Sequence, residues 1–393
     1  MKKIVIVVGT RPAAIKLAPV YLALKEQQIP TILCATFQHG ELLQQVFDVF
    51  GIKPDISLNV MRPNQDLFYL TQIILEKLGQ VLQDIKPDLV LVHGDTITAF
   101  VAALTAFYLK IPVAHIEAGL RTGNKYSPYP EEVFRKNISN IAEYHFAPTA
   151  LNVGNLLAEG FVRESVFCTG STVVDALYWV QEKIKTGAIV LDGIIEEKVR
   201  ACKLNKQKIV LLTAHRRESF DGGILRILNS VKKFAQAHED VFVFYPAHPN
   251  PYVQKAIEES GIRNIPNIYV GAPLIYTDLV YLMTSADWIM TDSGGIQEEA
   301  VSIGKKVLVL RDVTERAEGL WDGLGILVGT NEQKILFEMK KLYETQSLTW
   351  NPRTIYGDGT AAIKIAVIIK EKLQLNSEAP KKKKLTTGVQ RVA

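Results

Sequence analysis

Short apolar runs alternate with longer amphipathic ones along nearly the whole chain. In the first half, Ile4 to Val8, Thr31 to Phe37, Leu89 to Val92, Val113 to Ile116, Tyr144 to Ala147 and Val166 to Thr169 read as strands. They are apolar at consecutive positions, the pattern of strands buried on both faces of a parallel sheet. Helices are predicted between them at Ala13 to Glu26, Leu42 to Phe50, Leu67 to Asp84, Ala99 to Leu109, Glu132 to Ala142 and Leu151 to Ala158. The second half repeats the grammar, with strands at Ile209 to Thr213, Val241 to Tyr245, Ile268 to Val270, Trp288 to Met290 and Val307 to Leu310. Such a series predicts an α/β protein of two Rossmann-like doubly wound domains facing a cleft. The first is expected over 1–170 and the second over 171–357, with a mostly helical connection from Thr172 to Lys203. A last helix, 358–374, has no strand after it and is expected to pack back on the first domain. The lysine-rich stretch 375–393 reads as a disordered tail.

Composition narrows the function classes. With 48% hydrophobic and 22% charged residues, the 393-residue chain has the balance of a globular protein with two ordinary cores. The net charge of +4 is concentrated in the tail, where Lys381 to Lys384 and Arg391 stand without an acid after Pro380. The body is then close to neutral, which argues against a nucleic-acid surface. No apolar run is long enough to span a membrane. The opening run Ile4 to Val8 imitates a secretion signal, but Gly9-Thr10-Arg11 cuts it short, so it reads as a buried strand. Cys34, Cys168 and Cys202 are odd in number and lack metal-ligand spacing, for which a reducing cytoplasm is the simplest setting.

In open parallel sheets, ligands bind beyond the carboxyl ends of the strands, and the candidate chemistry falls there. The stretch Thr291 to Ala300 (Thr-Asp-Ser-Gly-Gly-Ile-Gln-Glu-Glu-Ala) follows a strand and opens a helix. Ser293, Gly294 and Gly295 would bare the backbone where helix N–H groups and the positive dipole end can meet a diphosphate. Glu298 and Glu299, one turn on, suit sugar hydroxyls; an ordinary turn before an acidic first helical turn also fits these letters. Arg11 and Lys16 follow the first strand and offer cations to a diphosphate, or belong to a surface loop with a helix-start proline, Pro12. Asp95, Glu117 and Glu131 form either a proton-transfer set at the mouth of one sheet or a group of helix caps and dipole partners. The alternate spacing of His93 with Asp95 and of His115 with Glu117 allows four metal ligands, against hydrogen-bonded core histidines. His215 is the better candidate for a phosphate or a developing charge. Arg316, in Arg311 to Arg316, adds a cation or closes a salt-bridged loop.

The ordered series Gly9-Thr10-Arg11-Pro12, Gln38-His39, Val92 to Thr96, His115 to Thr122, Ser127 to Glu132, His215 to Glu218, Thr291 to Ala300, Arg311 to Arg316 and Tyr356 to Gly359 resembles the non-hydrolysing UDP-N-acetylglucosamine 2-epimerases. The resemblance covers about residues 3 to 372. It implies a glycosyltransferase-B arrangement, reversible conversion of UDP-GlcNAc into UDP-ManNAc through a 2-acetamidoglucal, no cofactor and no metal. It further implies a homodimer, supply of cell-surface polysaccharide precursor, and a second UDP-GlcNAc as activator near the Gln38-His39 and Arg62 to Asp66 loops. By its motifs, Asp95, Glu117, Glu131 and His215 are the catalytic residues. Arg11, Lys16, Ser293, Gly294, Gly295 and Arg316 face the diphosphate, and Glu299 the ribose. Three departures stand out: Ala13 where the family has Glu, Ala317 where it has Pro, and Thr354-Ile355 where it has Asn-Pro. A glycosyltransferase of the same architecture, an epimerase of a modified UDP-HexNAc, and a binding protein without turnover are the alternative readings.

Because the tail carries none of these motifs, removing the residues after Gln374 is expected to leave turnover of UDP-GlcNAc unchanged in a standard assay. A large loss would assign the tail a role.

Overall fold

The computed structural model describes residues 2–38, 40–63, 65–345 and 350–375. His39 and the tail beyond 375 lie outside them. The first half runs β1 (Ile4–Val8), α1 (Arg11–Glu26), β2 (Thr31–Ala35), α2 (Glu41–Phe50), β3 (Ile56–Ser57), α3 (Leu67–Ile85), β4 (Leu89–His93), α4 (Ile97–Tyr108), β5 (Val113–Ile116), α5 (Glu131–Ile141), β6 (Tyr144–Ala147), α6 (Ala150–Ala158) and β7 (Val166–Cys168). Two helices, α7 (Thr172–Lys185) and α8 (Gly193–Leu204), lead to the second half. That half holds β8 (Lys208–Thr213), α9 (Gly223–Ala237), β9 (Val241–Pro246), α10 (Pro251–Ser260), β10 (Ile268–Gly271), α11 (Tyr276–Ser285), β11 (Trp288–Thr291), α12 (Gly294–Ser302), β12 (Lys306–Val309), α13 (Ala317–Trp321), β13 (Gly325–Leu327) and α14 (Glu332–Glu344). The last helix is α15 (Ala361–Leu375).

Two all-parallel sheets result, with orders β3-β2-β1-β4-β5-β6-β7 and β10-β9-β8-β11-β12-β13. The predicted α/β, doubly wound class is therefore the observed one. In both sheets the strand order reverses at the centre, between β1 and β4 and between β8 and β11, which is where such sheets open a crevice for ligand. Edge strands β3 and β13, of two and three residues, are too short to leave a pattern in the sequence.

Every residue of β1 is buried. Ile4, Ile6 and Val8 enter one core, while Val5 and Val7 enter another with α3 and α4. The first of these cores does not stop at the sheet. It continues through α7 into Ile209, Leu211, Phe244 and Tyr276 of the second half, so the two sheets share one apolar body on their facing sides. Helix α7 packs against α1, α11, α12 and α15, and α15 packs on α1. Asp175 of α7 accepts hydrogen bonds from the N–H groups of Ala361 (3.2 Å) and Ala362 (2.8 Å), capping α15 from a distant part of the chain.

The chain passes between the halves twice, near 170 and near 357, and the two passages touch. Gly170 (φ +96°) and Gly357 (φ +125°) lie back to back, and a Cβ on Gly170 would stand 3.2 Å from the Cα of Gly357. Only glycine adopts those angles readily and permits that approach. The N–H of Ser171 donates to the carbonyl of Tyr356 at 2.6 Å, fastening one passage to the other.

Candidate active site

At the end of β1 the chain turns through Gly9, where any Cβ would collide with the hydroxyls of Thr98 and Thr36. Thr10 then caps α1 by accepting from the N–H of Ala13 at 3.4 Å. This start aims Arg11 and Lys16 at the space between the sheets. Arg11 donates to the carbonyl of Leu274 in the second half. Lys16, buried, forms an ion pair with Glu117 and passes 3.9 Å from the position of a Cβ on Gly295.

Glu117 follows β5 in a left-handed conformation (φ +66°). That is an uncommon backbone for a residue with a side chain and often marks a functional position. Besides Lys16, its carboxylate meets Arg316 Nη2 at 3.3 Å and His93 Nδ1 at 4.0 Å. Burial alone would raise its pKa, but Lys16 and Arg316, joined by His93 only when that ring is protonated, outweigh it and hold the carboxylate well below its ordinary range. Glu131, at the start of α5, behaves oppositely: burial first, and then the charge of Asp95, push its pKa upward. Its Oε2 is buried without a hydrogen-bond partner among the described residues. Asp95 forms an ion pair with Arg135, which also meets Glu132 at 3.3 Å. Glu132 in turn accepts from the N–H groups of Thr122 (3.1 Å) and Gly123 (3.0 Å). Of two neighbouring glutamates on α5, Glu132 thus supports the loop and Arg135, leaving Glu131 with the unpartnered oxygen. The cap of α4 is Thr96, not Asp95.

His115 is fully buried with its ring against the carbonyl of Gly94 at 2.7 Å, and burial pushes its pKa down to about 3. Burial likewise lowers His93 to about 4, against the pull of Glu117. Both imidazoles are neutral at physiological pH. No group of three or more His, Cys, Asp or Glu side chains among the described residues forms a metal cluster.

The opposite wall comes from the second sheet. His215 follows β8, stacks on His248 (ring centroids 5.4 Å apart) and lies 3.3 Å from Asp292. Asp292 is wholly buried and accepts from the N–H groups of His215 (2.5 Å) and Arg216 (2.7 Å), so it shapes that loop. Ser293 precedes α12 and makes no side-chain cap, leaving the first-turn N–H groups of Gly294 and Gly295 for a ligand. A Cβ on Gly294 would stand 2.7 Å from the Arg316 guanidinium, which packs over this turn. Arg316 also bonds Glu298 at 2.8 Å and pairs with Glu315. Glu315 is buried and held as a carboxylate by Arg316 and Arg311, the latter at 2.9 Å, which outweigh its burial. Glu299, one position past Glu298, accepts from the hydroxyl of Tyr276 at 2.7 Å, and burial raises its pKa to about 8.

A family model described as UDP-N-acetylglucosamine 2-epimerase matches residues 22–370. The UDP-N-acetylglucosamine 2-epimerase of Campylobacter jejuni is 46% identical over 377 residues, which are 94% of this chain and 97% of the relative. The chain belongs to this family. A solved complex of UDP with MnaA of S. aureus superposes with a TM-score of 0.87 at 40% identity, covering 97% of this chain and 99% of that one. The UDP-GlcNAc 2-epimerase of Neisseria meningitidis bound to UDP-GlcNAc superposes at 0.85 with 43% identity, covering 95% of this chain and all (100%) of that one.

Of the residues singled out from sequence, Arg11 reaches Leu274, Lys16 lies beside Gly295 and Glu117 meets Arg316, each across the two halves, whereas His115 is buried in the core and His39 lies outside the described residues. Sequence reasoning missed Arg135, Asp292, Glu315 and Tyr276, which hold those residues in place. Arg135 had a signal: it stands four residues after Glu131 and three after Glu132, on one helical face. Asp292 had one as well, lying between the strand end and Ser293. For Tyr276 no local pattern points across to Glu299.

Glu299 makes the stability of the ligand-free protein depend on pH. Its folded pKa, about 8, lies above the ordinary carboxylate value. Its contribution is therefore fully present below about pH 4 and is lost as pH rises through about 8, at up to about 1.4 kcal/mol per pH unit. Urea denaturation between pH 5 and 8 is expected to show a falling midpoint in the native protein and a flatter one in Glu299→Gln. Equal slopes would remove Glu299 as the source.

Proposed function

We propose that the chain epimerises UDP-GlcNAc at C2, giving UDP-ManNAc, without a cofactor or metal. The observation that supports this reading is that Glu117, from the sheet that also bears Asp95 and Glu131, meets Lys16 of its own half and Arg316 of the other, with the start of α12 beside both cations. C2–H has no carbonyl beside it to accept a carbanion, so loss of the proton must accompany cleavage of the C1–O bond. The site must then stabilise UDP as leaving group. The first-turn N–H groups of Gly294 and Gly295, beside the uncommitted side chain of the cap residue Ser293, together with Arg11, Lys16, His215 and Arg316, supply positive potential without reorganisation. Glu299 receives the ribose.

The proton chemistry falls to Asp95, Glu117 and Glu131. One carboxylate takes the C2 proton as the C1–O bond breaks, producing the 2-acetamidoglucal. A proton is then delivered to C2 on the other face while an oxygen of UDP re-forms the bond to C1. Cations hold Glu117 ionised, while burial and then Asp95 raise the proton affinity of Glu131, a difference that suits distinct roles for the two in proton transfer. Lys16 and Arg316 are shared: a diphosphate that draws them toward itself leaves burial as the prevailing influence on Glu117 and strengthens its affinity for a proton.

On this reading the functional units are 1–170, which carries the carboxylates, with 358–374 packed on it, and 171–357, which holds UDP. The exposed ring pair Phe107 and Tyr108 at the end of α4 (59% and 63% exposed) supports a homodimer. Gln65 donates to the carbonyl of Gln38 at 3.0 Å, and Thr98 of α4 donates to its side chain at 2.8 Å. That linkage of two loops at the cleft edge supports an activator site for a second UDP-GlcNAc. The setting is the cytoplasm, where the nucleotide sugar would be made available for cell-surface polysaccharide.

Incubating the protein with UDP-GlcNAc in D2O without an acceptor, and following the sugar by proton NMR, is expected to show deuterium entering C2 as UDP-ManNAc appears. Binding without exchange would overturn the reading in favour of a transferase or a binding protein. Asp95→Asn is expected to bind UDP nearly as the native protein does while losing about 10²–10⁴ in turnover. Near-native turnover would remove Asp95 from the proton chemistry.

A further inference from the structure

Glu318 is a buried carboxylate that none of the roles above employs. It lies in the first turn of α13, two residues beyond Arg316, and is 8% exposed. Its Oε1 is within hydrogen-bond reach of the Thr149 hydroxyl, which also faces the side-chain oxygen of Asn152 at 2.8 Å, whereas Oε2 is buried without a partner among the described residues. A carboxylate removed from water and only half satisfied is destabilising, and packing alone would be better served by an apolar side chain. Thr149 belongs to the other sheet: it follows β6 and caps α6, its hydroxyl oxygen accepting from the N–H of Asn152 at 3.3 Å. The Glu318 contact therefore spans the cleft.

The segment that Glu318 holds is fastened on its other side to the passages between the two halves. Tyr356, 2% exposed, donates its hydroxyl proton to the carbonyl of Arg316 (3.2 Å) and accepts from the N–H of Gly319 (2.9 Å). Its own carbonyl accepts from Ser171, whose hydroxyl donates to Glu298, and Glu298 returns the connection to Arg316. These bonds close a ring from the passages back to the guanidinium. Across the cleft the same segment is met at two points, Glu117 on Arg316 and Thr149 on Glu318. A diphosphate would compete for the guanidinium in the first contact. The second uses no group assigned to the ligand, and so can persist while the ligand is bound.

We propose that Glu318 is a positioning residue: through Thr149 it anchors the Arg316 segment to the first half, keeping the cleft closed and the guanidinium at the leaving group during the reaction. The proposal rests on the epimerase reading and adds to it the contact by which closure is held. Release of that contact accompanies opening and departure of the nucleotide sugar.

The full-length chain and the variants Glu318→Ala, Glu318→Gln, Thr149→Val and Glu318→Ala/Thr149→Val test this. Each is measured for kcat and KM with UDP-GlcNAc, for the radius of gyration by small-angle scattering with saturating UDP, and for Tm. Glu318→Ala is expected to lower kcat about tenfold with little change in Tm, and to leave the UDP-bound protein more expanded than the native complex. Glu318→Gln, which keeps an oxygen within reach of the Thr149 hydroxyl, is expected to recover most of the lost turnover and the compact radius. The double variant is expected to fall within about twofold of the slower single variant, because both substitutions remove one contact. A native kcat in Glu318→Ala, a lowered Tm with native kcat, or multiplicative losses in the double variant would overturn the proposal. If the native chain binds UDP but does not turn over UDP-GlcNAc, the epimerase reading fails, and the scattering comparison with UDP alone still supports or overturns the contact as the closing device.

Discussion

A carboxylate taken out of water keeps its charge only beside cations, and in this molecule the most deeply committed one, Glu117, draws its cations from both halves of the chain. Lys16 comes from the helix after β1 and Arg316 from the loop before α13. The same guanidinium is held by Glu298 and Glu315, so the cleft is lined by an alternating network rather than by a block of positive charge. In such a network each fixed cation is balanced by a fixed carboxylate. It also explains why the overall charge of the body gives so little notice of the cations buried in it.

The network can close only because the fold brings its parts to one place. Both sheets reverse strand order at their centres, and both reversals look into the cleft. A crevice at one reversal offers a helix start and a few side chains; with two facing reversals, the start of α12 and Arg316 from one sheet meet Lys16 and Glu117 from the other. Their alignment depends on α7, whose apolar face continues the core of the first sheet into the second. Asp175 on that helix also fixes the start of α15. The halves are thus joined at an apolar end, and polar contacts such as Glu117 with Arg316 link them at the cleft.

Much of this was legible in the sequence because parallel strands and their crossover helices announce themselves by period, and because the polar residues at strand ends interrupt apolar runs. The order of motifs carried the family. What stayed hidden were partnerships between residues distant in sequence. Nothing near Asp95 says that Arg135 will hold it, and nothing near Thr149 points to Glu318, 169 positions away. The division of labour between Glu131 and Glu132 was equally unreadable, since neighbours on a helix differ by about 100° in direction and only the packing of the 122–123 loop decides which is engaged. Glu298 and Glu299 repeat the case: one clamps Arg316 and Ser171, the other meets Tyr276.

The departures from the family pattern bear on the same network. With Ala13 in place of an acid, the first turn of α1 holds no carboxylate, and the carboxylate that Lys16 meets is Glu117. An acid at that point would stand near Arg11 and Lys16 and weaken their field at a bound diphosphate; alanine, 5% exposed, leaves the field intact and fills the packing space. Ala317 works in the other direction. Proline would stiffen the turn after Arg316 through its fixed φ, whereas alanine leaves the backbone freer, so the geometry of the segment rests more heavily on side-chain fastening. Tyr356 supplies that from the passage between the halves and Glu318 from across the cleft. A loop that lacks a rigid residue at its start can still present a guanidinium in one place, provided it is tied at both ends, and here both ties are buried.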